Sequence, residues 1–196
     1  PCKNGRLSQQ PEIEMPGHSD EVLAAYPELR CTHLPERQGD LCIGKEATFE
    51  MMQRILDEVI EIFPSEYIHI GGDEAGKENW KLCEDCQRRM QQEGLSSVDE
   101  LQSYMIHRIE RYLNARGRQI IGWDEILQGG LAPNATVMSW RGEEGGRMAA
   151  AAGHNVIMSP HGYCYIDAPQ DAPYSQPESI GGYLPLEKVY SYEPVP

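Results

Sequence analysis

The stretch Tyr67-Ile68-His69-Ile70-Gly71-Gly72-Asp73-Glu74 (YIHIGGDE) joins a short apolar run to two glycines and two adjacent carboxylates. The run is rich in β-formers and too short for a helix, so it reads as a buried strand. The glycines let the backbone turn sharply at its end and keep the space above it open. Two like charges at the mouth of a buried strand are costly unless they act. Neighbours on a strand point to opposite faces, so Asp73 and Glu74 are expected to do different jobs. Their proximity pushes their proton affinities apart, the pattern of paired catalytic carboxylates. The alternative is a solvated acidic turn, which is how Asp57-Glu58 and Glu143-Glu144 read. The chain carries 31 Asp plus Glu, so such pairs are common.

Outward from this strand, helices and strands alternate. Residues 49–63 place Phe49, Met52, Ile55, Leu56, Val59, Ile60 and Phe63 on one helical face, with Thr48 as N-cap and Pro64 as stop. Residues 97–116 form a second helix. Ser97 and Glu100 match a capping box, and Gly117 stands where a C′ glycine belongs. Its stripe is apolar except for Arg108. RQIIGWDE (118–125), TVMSWRG (136–142) and HNVIMSP (154–160) read as further strands, with a glycine-interrupted helix over 143–152. PEIEMPGH (11–18) reads as the end of another strand. The last ~25 residues, rich in Pro, Gly and Tyr, read as loop. About five βα steps imply an α/β fold with a parallel sheet.

Each strand ends in a chemical cluster: His18, Asp73-Glu74, Trp123-Asp124-Glu125, Trp140-Arg141, and His161 to Asp167. Convergence of strand carboxyl ends on one site is the plan of a (β/α)8 TIM barrel. A doubly wound open sheet would also gather its strand ends, but no G-x-G-x-x-G turn is present.

The bulk numbers bound the function. The chain has 196 residues, of which 40% are hydrophobic and 24% charged, a globular composition. A formal net charge of −14 argues against nucleic acid, which needs clustered Lys and Arg, and against an anionic membrane surface. No apolar run approaches the ~20 residues of a membrane span. The chain starts at Pro1 without an initiating Met or signal peptide, which leaves room for a lost targeting segment. Three tryptophans and ten tyrosines suit a sugar ligand, whose apolar faces match aromatic rings. Trp123 and Trp140 lie at strand ends; Trp80 lies in a polar, loop-like stretch and is less informative. Six cysteines (Cys2, Cys31, Cys42, Cys83, Cys86 and Cys164) are too few for a disulfide scaffold. Cys83-x-x-Cys86 has metal or redox spacing, but no second pair of matching spacing accompanies it. It reads as local structural cysteines or one disulfide.

The ordered set PEIEMPGH (11–18), HIGGDE (69–74), GWDE (122–125), the Trp140 strand end and CYID (164–167) resembles glycoside hydrolase family 20, the β-N-acetylhexosaminidases. The tail IGGYLPLEKVYSYEPVP is similar to bacterial members, and the match runs from about residue 11 to the end. The resemblance implies a retaining exo-glycosidase with no protein nucleophile. The substrate's 2-acetamido oxygen would attack the anomeric carbon and form an oxazoline-type intermediate. Glu74 would be the general acid and then the base, and Asp73 would orient the acetamido N–H and stabilise its charge. Tyr165 would donate to the acetamido oxygen, Asp167 would bind sugar hydroxyls, and Trp123 and Trp140 would wall the sugar pocket. His18 would contact Glu74 and tune its proton affinity. His69 would pack or hydrogen-bond beneath the site, and His161 lies near it without a role. No cofactor and no metal are implied.

The same resemblance exposes departures. Only the third to seventh strands of the family's eight are matched. The first-strand arginine, the second-strand Asp that partners the histidine, and the eighth-strand Trp and Glu have no counterpart. Residues 1–10 are not the lead-in expected before PEIEMPGH, so 1–196 reads as a partial catalytic barrel with an atypical 1–10 segment. Exposed apolar edges would then call for more chain or a second copy. Implied partners are β-N-acetylhexosaminide oligosaccharides or glycoconjugates, and the family implies a periplasmic or secreted location. Two other readings compete. One is a non-catalytic carbohydrate-binding or interaction fragment. The other is a metal-dependent hydrolase on His18, His69, Asp73 and His161, which would want a His-x-His pair or similar spacing that is not found.

Overall fold

A computed structural model describes residues 9–31 and 39–195. Cys2 and most of the atypical 1–10 segment lie outside the described residues. The chain divides into two compact units, residues 1–136 and 137–196.

In the first unit three strands pair in parallel: β1 (Glu12–Met15), β2 (Tyr67–Gly71) and β3 (Gln119–Trp123). Glu12 lies opposite His69, and His69 opposite Ile121. Ile68 to Gly71 and Ile120 to Gly122 are buried without alternation. A parallel sheet covered on both faces gives that burial pattern. Parallel pairing also brings the carboxyl ends of the three strands to one edge.

Between β1 and β2 run α1 (Asp20–Ala25), a 3-10 turn (Pro27–Leu29) and α2 (Glu46–Ile62). The apolar stripe of α2 is buried as its periodicity predicts, through Phe49, Met52, Leu56 and Val59. Its start differs from expectation. The helix begins at Glu46, and Thr48 lies inside it, its hydroxyl donating to the Cys42 carbonyl at 2.7 Å. That bond ties the helix to the loop before it, a role that the sequence alone does not distinguish from a cap. Between β2 and β3 come α3 (Glu78–Leu82), α4 (Glu84–Glu93) and α5 (Val98–Asn114). The capping residue of α5 is as expected: Ser97 Oγ accepts from the Glu100 N–H at 3.1 Å. The Glu100 carboxylate accepts from the Ser96 N–H at 2.7 Å, one residue earlier than a strict box. Arg108, the exception in the α5 stripe, sits 3.7 Å above the Phe49 ring and pairs with Glu46. It docks α5 on α2 by cation–π contact rather than by apolar burial.

β4 (Thr136–Ser139) starts on the last residue of the first unit, and in the second unit it pairs in parallel with β5 (Val156–Met158) through Val137–Val156 to Ser139–Met158. The helix between them, α6 (Glu144–Ala151), forms despite its glycines. It is followed by α7 (His161–Cys164), a 3-10 turn at Pro173–Ser175, and α8 (Leu186–Tyr190). The C-terminal stretch is therefore not all loop. Stacking of Tyr163 on Tyr192, with centroids 4.9 Å apart, holds α8 near α7.

Two further expectations are corrected. Trp80 lies in α3, is fully buried, and donates from its indole N–H to the Leu41 carbonyl at 3.1 Å. Its polar sequence neighbours hid a core residue. The second cysteine pair that Cys83-x-x-Cys86 lacks by spacing is supplied by the fold. The sulfurs of Cys31 and Cys42 lie beside those of Cys83 and Cys86. None of the five described cysteines forms a disulfide.

Removal of the α5 cap by Ser97→Ala leaves a helix-start N–H unpaired. It is expected to cost about 1 kcal/mol of unfolding free energy, measured by urea denaturation. An unchanged midpoint would show that the cap contributes nothing.

Candidate active site

The three strand ends of the first unit carry the acidic chemistry. β1 runs through Glu12 and Glu14 into Pro16, Gly17 and His18. β2 runs through His69 into Gly71 and Gly72, whose φ angles of 67° and 93° turn the chain out of the strand. Asp73 and Glu74 follow in the loop, beyond the strand, so strand alternation is not what separates them. Their roles diverge because Glu74 itself takes a left-handed φ of 47°, uncommon for a residue with a side chain. The Asp73 side chain is 13% exposed and that of Glu74 is 55% exposed.

His18 joins the two. Its Nε2 lies 3.2 Å from Glu74 Oε2 and 3.5 Å from Asp73 Oδ2. His18 also has a left-handed φ, of 49°, so both loops are bent to bring these groups together. Burial pushes the Asp73 carboxyl above its usual range, while its own backbone N–H and His18 pull the other way. The Glu74 charge is a lesser influence, so burial rather than mutual repulsion sets Asp73 apart. A cleft of about 330 Å³ opens at this edge, lined by His18, Asp40, Glu74 and Asn79 among others.

A second layer lies under the pair, and sequence reasoning assigned a place in it only to His69 and Trp123. Glu12 faces His69, with Oε1 to Nδ1 at 3.0 Å, and accepts from the Trp123 indole N–H at 3.1 Å. The hydrogen bond with His69 holds Glu12 below the usual carboxylate range. The same Nδ1 accepts from the Gly71 N–H at 3.1 Å, so His69 links β1 to the glycine turn. The Trp123 ring packs edge-on against His69 at 4.7 Å, so its indole is fixed from two sides. Glu14, two residues on and on the same face as Glu12, is pushed up to about 8, by burial first and then by Glu12 and Asp73. It is a neutral acid at neutral pH. Gly71 has a left-handed φ of 67°, where a side chain is strained, and a Cβ there would crowd the Glu14 carboxylate. Gln102, buried in α5, donates to the Gly72 carbonyl at 2.7 Å. Asp40 accepts from the N–H groups of Gly76 and Lys77 at 3.3 and 3.1 Å, tethering the backbone just past Glu74. The E-x-E alternation of β1 was a legible signal for Glu12 and Glu14; Gln102 and Asp40 had none.

The second unit carries an aromatic group. Trp140 and Tyr165 are both half-buried, and their rings are nearly parallel, at 15° with centroids 6.2 Å apart. His161 stands edge-on to Trp140, and its backbone N–H donates to the Trp140 carbonyl at 2.8 Å. Asp167 follows, exposed.

The family model for the catalytic domain of glycosyl hydrolase family 20 matches residues 8–196. The chain belongs to glycosyl hydrolase family 20. The β-hexosaminidase of Porphyromonas gingivalis is 51% identical over 195 residues, covering 95% of this chain and 25% of the relative. That of Vibrio furnissii is 33% identical over 196 residues, covering 94% and 32%. The family 20 exo-β-N-acetylglucosaminidase of Vibrio harveyi, solved in complex with N-acetylglucosamine, superposes with a TM-score of 0.83 at 30% identity. It covers 95% of this chain and 31% of that one. This family 20 chain thus spans about a quarter to a third of the length of these relatives. Its fold is α/β of the (β/α)8 barrel type, matched over part of the barrel.

Glu14 makes a pH prediction for this family 20 chain. A carboxyl whose folded value is raised stabilises the fold below its unfolded value, and that contribution is lost as pH rises through the folded value. For Glu14 the window runs from 4.5 to about 8. Glu14→Gln keeps the neutral shape and removes the ionisation. The thermal midpoint of the variant is expected to fall less than that of the wild type across this window. Equal slopes would mean that Glu14 is already ionised in the folded protein.

Proposed function

We propose that this chain forms part of the catalytic domain of a retaining exo-β-N-acetylhexosaminidase. It would release terminal β-linked N-acetylglucosamine or N-acetylgalactosamine by substrate-assisted catalysis. The observation that carries this reading is the placing of one buried and one exposed carboxylate on a single histidine nitrogen. Two carboxylates serving one role would be matched in environment; these are not.

In this reading Glu74, at the cleft, protonates the leaving glycosidic oxygen while the substrate's acetamido oxygen attacks the anomeric carbon. Asp73, held in the interior, accepts the acetamido N–H and offsets the positive charge that develops on the oxazoline-type intermediate. Glu74 then removes a proton from water, which opens the intermediate with net retention. His18 positions both carboxylates and favours the ionised form of Asp73. The neutral Glu14 keeps a third negative charge away from Asp73.

The resemblance supplies the remaining roles. Trp123 and Trp140 wall the sugar, Tyr165 donates to the acetamido oxygen, and Asp167 binds sugar hydroxyls. The ordered aromatic rings in each unit support those roles. A periplasmic or secreted location belongs to the same reading and rests on the resemblance.

The purified protein is expected to hydrolyse an aryl β-N-acetylglucosaminide and not the matching aryl β-glucoside, which lacks the internal nucleophile. Glu74→Gln should lower kcat by about a hundred- to ten-thousand-fold, and Asp73→Asn by about a hundred- to a thousand-fold. Equal turnover of both glycosides would contradict the mechanism. Binding of the sugar without turnover would make the chain a carbohydrate-binding module.

A further inference from the structure

Four sulfurs meet in the first unit, away from the carboxylates. Cys31 follows the 3-10 turn at Pro27–Leu29, Cys42 lies in the loop before α2, Cys83 is the N-cap of α4, and Cys86 is in its first turn. Cys42 Sγ lies 3.7 Å from Cys83 Sγ and 3.6 Å from Cys86 Sγ, and Cys31 Sγ lies 3.8 Å from Cys86 Sγ. All four sulfurs fall within 4.8 Å of one another. Cys42, Cys83 and Cys86 are fully buried.

These separations discriminate between chemistries. A disulfide brings sulfurs to about 2.05 Å, so no pair here is bonded. A zinc ion held by four thiolates at about 2.3 Å sets its sulfurs at the corners of a tetrahedron whose edges are about 3.8 Å. The three separations of 3.6, 3.7 and 3.8 Å match that figure. A thiol is a weak donor and a weak acceptor, so hydrogen bonding gives little reason for four of them to face one another. A shared cation gives a strong one.

The surrounding backbone is shaped to the cluster. Gly44 packs directly on the turn between the CxxC cysteines; a Cβ there would lie 2.1 Å from the Asp85 carbonyl carbon and 2.3 Å from the Cys86 nitrogen. The Cys42-x-Gly44 loop and the Cys83-x-x-Cys86 turn therefore approach as two facing knuckles. The N-terminal end of α4, a helix of ten residues, lies on the same turn and favours negative charge.

We propose that Cys31, Cys42, Cys83 and Cys86 form a structural tetrathiolate site for one Zn2+ ion. Four protein ligands and burial leave no position for water or substrate, so the ion is structural, not catalytic. On binding, the four thiols release four protons and the site carries a net charge of −2. The ion fastens the loop over residues 39–45 to α4. That loop carries Leu41, which accepts from Trp80, and Asp40, which tethers the backbone after Glu74. The zinc site thus supports the loop bearing the exposed carboxylate from behind.

The test is metal content of the wild-type protein, purified without a metal-chelating resin. Plasma mass spectrometry is expected to find one zinc per chain, and a mercurial thiol reagent to release it in step with the titration of four thiols. Cobalt substitution should give the visible bands of a tetrahedral tetrathiolate. Cys83→Ser should lose the metal while Cys164→Ser, outside the cluster, retains it. If Cys83→Ser fails to fold, the wild-type zinc count and its release still decide. Metal-free protein with four free thiols, a mass lowered by disulfide formation, or iron in place of zinc would each overturn the proposal.

Discussion

The parallel pairing of β1 with β2 is the constraint on which the first unit depends. It sets Glu12 opposite His69 and brings the loop after Met15 beside the loop after Gly71. The carboxylate site follows from that adjacency. His18 can reach Asp73 and Glu74 only because two parallel strands end at the same edge. Glu14 is stripped of water only because it lies between Glu12 and the glycine turn. A shift of β1 by one residue would turn Glu12 and Glu14 to the opposite face and bring Ile13 and Met15 to this one.

Around that edge the fold places hydrogen-bonded supports. Gln102 from α5 fixes the Gly72 carbonyl, Asp40 fixes the backbone after Glu74, and Trp123 is held by Glu12 and His69. Each support comes from a different element, so the carboxylates are held by the tertiary fold and not by local sequence. Preorganisation of this kind suits a reaction in which charge appears on a substrate group and must be met at a fixed distance. The four-cysteine cluster extends the same logic, anchoring the Asp40 loop to α4.

Much of the fold could be read in the chain because strong local signals agreed. In α5, periodicity, the Ser97 cap and Gly117 all pointed to one helix. In β2, an apolar run bounded by glycines admitted only a strand. By contrast, α4 (EDCQRRMQQE) is polar on nearly every face and buries only Cys86, so periodicity had nothing to detect. Thr48 was misread because a hydroxyl that caps a helix and one that ties a helix to a distant carbonyl look alike in sequence. At the site, His18, Asp73 and Glu74 were legible from motif and position, and the structure brings these three together. Glu14 was visible as part of a motif, yet its neutral state depends on burial that no single strand reveals. The cysteine cluster was out of reach for the same reason: Cys42 meets Cys83 and Cys86 across 41 and 44 residues of chain and Cys31 meets Cys86 across 55, and only the fold closes those distances.

The central claim is that the substrate's acetamido oxygen is the nucleophile and that Asp73 and Glu74 divide the work around it. The most direct measurement is the hydrolysis rate of a series of aryl glucosaminides whose N-acyl group carries none, one, two or three fluorines. Fluorine weakens the carbonyl oxygen as a nucleophile and leaves the glycosidic bond unchanged. The account predicts that kcat/KM falls steeply with each fluorine. A rate indifferent to fluorination would contradict it, because a nucleophile from the protein or from water would then be doing the displacement.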